Sequence, residues 1–280
     1  MRQDYTGQDP YIRHVDSSMI EMRKYNFNKQ ELENKLLELK TITKVAEYYN
    51  VPRTSMSLIL KQRNIFNKKI NENFFSKDTQ ESFYLAGFLA ADGNVDKNLR
   101  RITIGLAEKD LIFLNKIKTL IEFKGNLTKS ISHGSKRSEK YKDTTAYFLR
   151  FSSKQVADDL TRFNIVPCKT KIYDFPEWLI DHPLVHHFMR GYFDGDGCLR
   201  HDNKQLSFSL VGNKFFLEKF QNILEKQCYI KNNKISKDRN IFKLKYCGNK
   251  LVPKICEFLY NNSTFHLDRK YYIYKNMVSK

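Results

Sequence analysis

Two stretches decide the fold: Leu85-Ala86-Gly87-Phe88-Leu89-Ala90-Ala91-Asp92-Gly93 and Met189-Arg190-Gly191-Tyr192-Phe193-Asp194-Gly195-Asp196-Gly197. Each carries small residues four apart and ends in Asp-Gly. On a helix Gly87 and Ala91 share one face, as do Gly191 and Gly195. These four form the expected helix interface, since small-residue faces let two backbones approach closely. Gly93 and Gly197 are expected to stop the helices in the left-handed conformation. If the two faces cross, Asp92 and Asp196 emerge together, each at the negative end of a helix dipole and beside a like charge. Such a pair asks for a divalent cation. Oxygen ligands without nearby His or Cys point to Mg²⁺, which on a phosphate activates water and stabilises the leaving oxygen. One Asp-Gly after a helix is ordinarily a cap and turn, but two in matching surroundings are not.

The surroundings do match. In the first copy a helix at about 81–91 is followed by the alternating strand Arg101-Ile102-Thr103-Ile104-Gly105-Leu106. An amphipathic helix follows through Leu111, Leu114, Ile117, Lys118 and Ile121. A strand pair around 126–132 and 145–152, a helix at 154–163 and the segment Ile165-Val166-Pro167-Cys168-Lys169 close the copy. The second copy repeats the order: a helix at about 184–194, alternation from Gln205 to Leu210, a helix at 214–227, strands around 229–236 and 240–247, and a helix at 250–261. It closes with Phe265-His266-Leu267-Asp268-Arg269-Lys270. The spacing is 104 residues from Asp92 to Asp196 and again from Leu106 to Leu210, then 95 from Phe151 to Tyr246, a change assigned to a longer hairpin tip near 130–143 in the first copy. Register kept through helix, strand and helix marks an internal repeat.

At these residues the chain resembles the LAGLIDADG homing endonucleases, in their single-chain, two-motif form, over about residues 81–275. The resemblance implies an α+β fold: tandem αββαββα repeats related by a pseudo-twofold axis, whose two antiparallel sheets form a saddle over the DNA major groove. It implies hydrolysis of both strands of double-stranded DNA at a long site, leaving 3′ overhangs. The last acid of each motif maps onto Asp92 and Asp196 as the catalytic metal-binding pair, two or more Mg²⁺ ions being shared between them; Ala91 and Gly195 beside them belong to the metal set. Lys169 and Lys270, matched near the two repeat ends, are the implied catalytic lysines, which polarise the attacking water or neutralise charge; an ordinary phosphate contact is the plainer reading. Lys171 and Arg269 are weaker candidates. The chain departs from the motif at Ala90, where the other copy has Asp194, and at Arg190, which must point away from the helix crossing.

The strands supply a reading surface. Alternation turns Ile102, Ile104 and Leu106 inward and Arg101, Thr103 and Gly105 outward; in the second copy Leu206, Phe208 and Leu210 turn inward and Gln205, Ser207 and Ser209 outward. Arg150, Lys243 and Lys245 occupy similar places on later strands. Any half-exposed sheet is polar outside, so it is the repeat and the charge that make these residues DNA contacts. Forty-nine Lys and Arg against 31 Asp and Glu leave +18, a balance that favours a polyanionic partner.

Upstream, residues 28–66 read as a helix-turn-helix: Leu32, Leu36, Leu37 and Leu39, then Val45, Ala46 and Tyr49, a turn at Asn50-Val51-Pro52, and Met56, Ile59 and Leu60. Pro52 is expected to begin the second helix, which would offer Arg53, Thr54, Ser55, Ser57 and Lys61 to phosphates and base edges. The same pattern serves a plain helical hairpin. Residues 1–27 are unassigned, 67–80 read as a basic linker, and the repeats occupy 81–175 and 176–280.

Five cysteines, an odd number without a C-x-x-C pair, argue against a disulfide scaffold and for a reducing compartment. No apolar run reaches a membrane-spanning length and no signal peptide is visible. The expected setting is therefore cytoplasmic, or an organellar matrix for an organelle-encoded protein. His182, His186 and His187 have helical spacing, but His186 lies ten residues before Asp196, about 15 Å along a helix, and the cluster reads as a solvated helix start. Rival readings on the same fold are an intron-encoded RNA maturase, with host intron RNA as partner, and a catalytically inactive DNA-binding regulator. No splicing domain surrounds the repeats, which sets aside an intein. With both acids on one chain, a monomer acting on an asymmetric site is expected.

Overall fold

The computed structural model describes residues 25–63, 65, 70–96, 101–133, 143–169, 172–202 and 204–278. Most of the unassigned N-terminal segment, Lys171 and the hairpin tip at 134–142 lie outside the described residues. The chain divides into two compact units, residues 1–68 and 69–280.

The first unit holds three helices, α1 (Lys29–Leu39), α2 (Ile42–Tyr48) and α3 (Arg53–Gln62). Asn28 caps α1, its side chain accepting from the Gln30 and Glu31 amides, and Thr41 caps α2 in the same way from Lys44. Leu32, Leu36, Val45, Ala46, Met56, Ile59 and Leu60 meet in one small core. Asn50 takes φ 52°, so the turn uses a residue that tolerates the left-handed region. Pro52 stands one residue earlier than its sequence suggested: its ψ of 137° keeps it outside α3, which starts at Arg53.

The second unit contains the repeat. Its first copy runs α4 (Gln80–Asp92), β1 (Gly93–Val95), β2 (Arg101–Ala107), α5 (Leu111–Leu120), β3 (Thr128–Ser132), β4 (Thr144–Ser152) and α6 (Lys154–Thr161). The second runs α7 (Val185–Asp196), β5 (Gly197–Asp202), β6 (Gln205–Gly212), α8 (Lys214–Cys228), β7 (Ser236–Asp238), β8 (Ile241–Cys247) and α9 (Val252–Tyr260), with α10 (Asp268–Val278) after it. Each copy forms an antiparallel four-stranded sheet, ordered β1-β2-β4-β3 and β5-β6-β8-β7. Ile102, Ile104, Leu106, Leu206, Phe208 and Leu210 are buried beneath the sheets as alternation required. Among the described residues no helix is long and apolar enough to cross a membrane.

Three expectations are corrected. Residues 70–79 are not a free linker, because Ile70 and Phe75 are buried in the core and Arg162 donates to the Phe75 carbonyl at 3.0 Å. The basic run before them hid two anchoring apolar side chains. Second, the repeat slips by two residues in its second strand. Gly93 faces Ile104 whereas Gly197 faces Leu210, so Leu210 is the counterpart of Ile104 and not of Leu106. The 95-residue spacing further on survives, since Ile104 faces Leu149 and Leu210 faces Leu244. A two-residue slip leaves alternation unchanged, which is why the pattern could not reveal it. Third, Gly93 and Gly197 are extended, with φ −80° and −92°, not left-handed. They open β1 and β5. Glycine is required there because a Cβ on Gly93 would lie 2.6 Å from the Leu89 carbonyl oxygen, and one on Gly197 2.4 Å from that of Phe193.

Candidate active site

The site is built where α4 and α7 cross. A capping box between Thr79 and Ser82, with mutual side-chain to backbone bonds of 3.1 Å, starts α4. A Cβ on Gly87 would lie 2.0 Å from the Phe188 carbonyl oxygen, and one on Gly191 1.9 Å from that of Tyr84. At these two positions backbone therefore rests on backbone. One turn further, a Cβ on Gly195 would meet the Ala91 Cβ at 2.5 Å and the Asp92 Oδ2 at 3.4 Å. The contact face is the expected one, and it brings the carboxylate of one repeat beside the backbone of the other.

Both acids titrate high. Asp196 is pushed up to about 6, first by burial and then by the negative charge of Asp92, while Lys169, Lys270 and the Tyr192 hydroxyl oppose the rise. Asp92 reaches solvent at its tip, yet its burial still outweighs the pull of Lys270, Lys169 and Arg269 and raises it. Two carboxylates that resist ionising are a feature a divalent cation would relieve. Among the described residues no group of three or more His, Cys, Asp and Glu converges. The available donors are thus two carboxylates with neighbouring carbonyls and water. That all-oxygen set fits a hard cation such as Mg²⁺.

Lys169 and Lys270 are in the place the repeat assigned them, and both are buried. Lys169 Nζ donates to the Gly93 carbonyl at 2.7 Å. Lys270 Nζ donates to the carbonyls of Phe193 and, at 2.9 Å, Asp194, and lies 4.7 Å from the Phe193 ring centroid. Each lysine is therefore tied to the end of its own motif helix, where carbonyls are left over. Burial lowers both; Lys270 falls to about 8 although Asp194 holds it up, and for Lys169 the charges of Asp196 and Asp92 oppose the change. Arg269, the weaker candidate, is paired with Asp110 at 3.1 Å.

Three features around the site were not foreseen. Asp194 is buried and accepts from the Tyr84 hydroxyl at 2.7 Å, the Tyr260 hydroxyl at 2.5 Å and the Leu267 amide at 2.8 Å. It ties the first motif helix, α9 and the segment carrying Lys270 to one point. Arg190 leaves the glycine face as expected but stays buried, donating to the Leu259 and Phe265 carbonyls at 3.0 and 3.2 Å and stacking 5.1 Å from the Tyr84 ring centroid. His187 beside it is also buried and lowered to about 3 by burial and by Arg190, so the solvated reading of the histidines is wrong for His187. The only sequence signal for this network was the oddity of charged residues on an apolar helix.

The outward sheet faces hold the polar residues expected to read DNA. Thr103 stands opposite Arg150, Arg101 opposite Ser152, Ser209 opposite Lys245 and Ser207 opposite Cys247, with Gln205 and Lys243 on the same face. Asn94, opposite Thr103, and Arg200, opposite Ser207, join them from β1 and β5, two strands too short or irregular to show alternation. In the other unit Arg53, Thr54 and Ser57 are exposed on α3 and Ser55 is half-buried.

Comparison with known proteins accords with this geometry. Residues 79–164 match the family described as a LAGLIDADG-like domain. Among solved structures the chain is similar to the homing endonuclease I-WcaI bound to its DNA recognition sequence, with 14% identity over 72% of this chain and 90% of that one and a TM-score of 0.52. It is also similar to full-length DUF199/WhiA from Thermatoga maritima, with 18% identity, 75% of this chain covered and a TM-score of 0.43. The chain spans 64% of the length of that protein. No curated protein sequence matches.

Proposed function

From a chain whose residues 79–164 form a LAGLIDADG-like domain within the LAGLIDADG fold, we propose a monomeric, site-specific endonuclease that hydrolyses both strands of double-stranded DNA at a long asymmetric site, leaving 3′ overhangs. The observation that carries the reading is the pair of aspartates delivered by two glycine-crossed helices between two outward polar sheets. The two sheets grip the duplex through Arg101, Thr103 and Arg150 on one side and Gln205, Ser207, Ser209, Lys243 and Lys245 on the other. α3 of the separate helical unit adds contacts through Arg53, Thr54, Ser55 and Ser57. Asp92 and Asp196, with backbone oxygens at Ala91 and Gly195, would hold Mg²⁺, which when bound would supply a water of lowered pKa and a counter-charge for the leaving oxygen. Lys169 and Lys270 keep positive charge against the scissile phosphate, and their bonds to Gly93, Phe193 and Asp194 fix where that charge sits.

The test is cleavage of DNA from the intron-less form of the locus that encodes the chain, with Mg²⁺ present. Asp92→Asn or Asp196→Asn should cut cleavage by several orders of magnitude while duplex binding in Ca²⁺ persists. A double Asn variant that still cuts at the parental rate would sink the two-acid reading. Binding without cleavage by the parent would favour a DNA-binding regulator, and binding of intron RNA in place of duplex DNA a maturase.

A further inference from the structure

The two reading faces differ at one matched place. On the first sheet Gly105 faces Phe148, with Thr128 on that residue's other side. A Cβ on residue 105 would lie 2.5 Å from Phe148 Cε1 and 2.7 Å from its Cδ1. The ring therefore lies down across the glycine instead of standing off the sheet. Arg150 follows two residues along the same strand, on the same face, opposite Thr103. Its guanidinium carbon sits 4.2 Å from the Phe148 ring centroid.

That stack has a specific consequence. An exposed arginine on a flat strand ordinarily gives up rotamer freedom when it docks. Stacking on an aromatic ring removes part of that loss beforehand and uses only the flat face of the guanidinium. Its in-plane N–H edge forms no hydrogen bond among the described residues, so the donors that match guanine O6 and N7 are left for a ligand. Resting on the DNA-reading assignment above, we propose that Arg150 is the fixed guanine reader of one half-site and that Phe148, lying across Gly105, is the residue that positions it.

The corrected register identifies the counterparts on the second sheet. They are Lys243, opposite Val211, and Lys245, opposite Ser209. That sheet has neither the glycine nor the ring, and a lysine offers a mobile point charge in place of a planar fork. One half-site thus carries a position with strong guanine preference, and the matching position of the other half tolerates exchange.

The experiment is selection from randomised duplexes by the full-length chain in Ca²⁺, repeated with Arg150→Lys, Phe148→Leu and Phe148→Trp. The parent should enrich guanine at one position roughly 5- to 150-fold over the other bases, the range of one bidentate pair. Arg150→Lys, an exposed substitution that leaves the fold alone, should bring that preference to within about 3-fold while preferences elsewhere stay, since the lysine keeps charge but not the fork. Phe148→Leu, which keeps the apolar bulk without the ring face, should do the same, and Phe148→Trp should restore the preference. A preference unchanged in Arg150→Lys, or retained in Phe148→Leu, overturns the proposal while DNA recognition stands. A parent that enriches no sequence overturns the recognition itself, and the proposal with it.

Discussion

Replacing Gly191 by alanine tests the helix crossing at its tightest point. The new Cβ would sit 1.9 Å from the Tyr84 carbonyl oxygen and 2.8 Å from the Phe88 nitrogen, whereas real Cβ atoms are essentially never found within 3.0 Å of a neighbour. Both obstacles are backbone, so no side chain can swing aside, and α4 and α7 must part by about 1 Å or more. Overpacking costs about 1–3 kcal/mol and here belongs at or beyond the upper end. Alanine returns up to about 1 kcal/mol as the better helix former. A net loss of about 2 kcal/mol in a unit this size lowers Tm by roughly 4–8 °C. The acids ride on the ends of these helices, and a displacement of about 1 Å can cost on the order of 100-fold in rate. Thermal unfolding and single-turnover cleavage read the two effects separately. Gly195→Ala clashes with the Ala91 methyl at 2.5 Å and comes no nearer than 3.4 Å to Asp92, with no backbone atom in the way, so it should be milder, and Ala91→Gly in the same chain should rescue it by moving the methyl from one helix to the other. Gly191→Ala with the parental Tm and rate would refute the crossing as described, and so would a failure of the Ala91 rescue.

Other predictions follow from the same site. Asp196 titrates near 6 when folded against 3.8 as a free side chain. Folding therefore favours its protonated form. Its contribution to stability is fully present below pH 4 and disappears as pH rises through 6. Asp196→Asn should accordingly stabilise the metal-free chain at pH 7, on the order of 1–3 kcal/mol, and lose that advantage near pH 4; a difference between variant and parent that does not vary with pH would contradict this. Cleavage runs the other way, since it needs the carboxylate, and should fall as the pH is lowered; a bound cation favours the ionised form, so the fall belongs at lower pH than the titration of metal-free Asp196. Asp194→Ala leaves two tyrosine hydroxyls and the Leu267 amide without their acceptor, so the unfolding free energy from denaturant titration should drop by about 3 kcal/mol or more. A loss under about 1 kcal/mol would mean the network is incidental. Arg53→Ala with Lys61→Ala should make the log–log salt dependence of duplex affinity shallower by about 0.9 for each phosphate contact removed; an unchanged slope would take α3 off the DNA.

What the sequence disclosed was whatever leaves a periodic or duplicated trace. The two glycine faces, the Asp-Gly ends and the buried Ile102-Ile104-Leu106 and Leu206-Phe208-Leu210 rows were all visible because helices repeat near 3.6 residues and strands at 2. The matched acids and lysines were visible because they occur twice. Features that occur once were not. Asp194 and Arg190 looked like departures from the motif and are the tie points of the second half. Phe74 and Phe75 were masked by the basic run ahead of them, although Phe75 anchors the chain's entry into the core. Gly93 and Gly197 were read as left-handed helix stops; they do follow the helices, but what calls for glycine is the carbonyl of the preceding helical turn, not a positive φ.

The asymmetric features share one physical logic. A symmetric pair of repeats needs only one set of contacts, made twice, and any change in one copy breaks the match unless something compensates. In the first copy Ala90 stands where the second has Asp194, so the first motif helix brings no carboxylate of its own to tie down its lysine segment. Tyr84 of that helix instead bonds across to Asp194 of the other. The two copies are thus held together by a group that belongs to only one of them. The outward sheet faces have diverged in the same manner, with the Phe148–Arg150 stack on one sheet and Lys243 and Lys245 on the other. Such divergence is open to a single chain and closed to a homodimer, in which every substitution enters both halves at once. On the proposed endonuclease reading, a protein built this way has no structural reason to seek a palindrome, and its two halves are free to bind different bases across one continuous site.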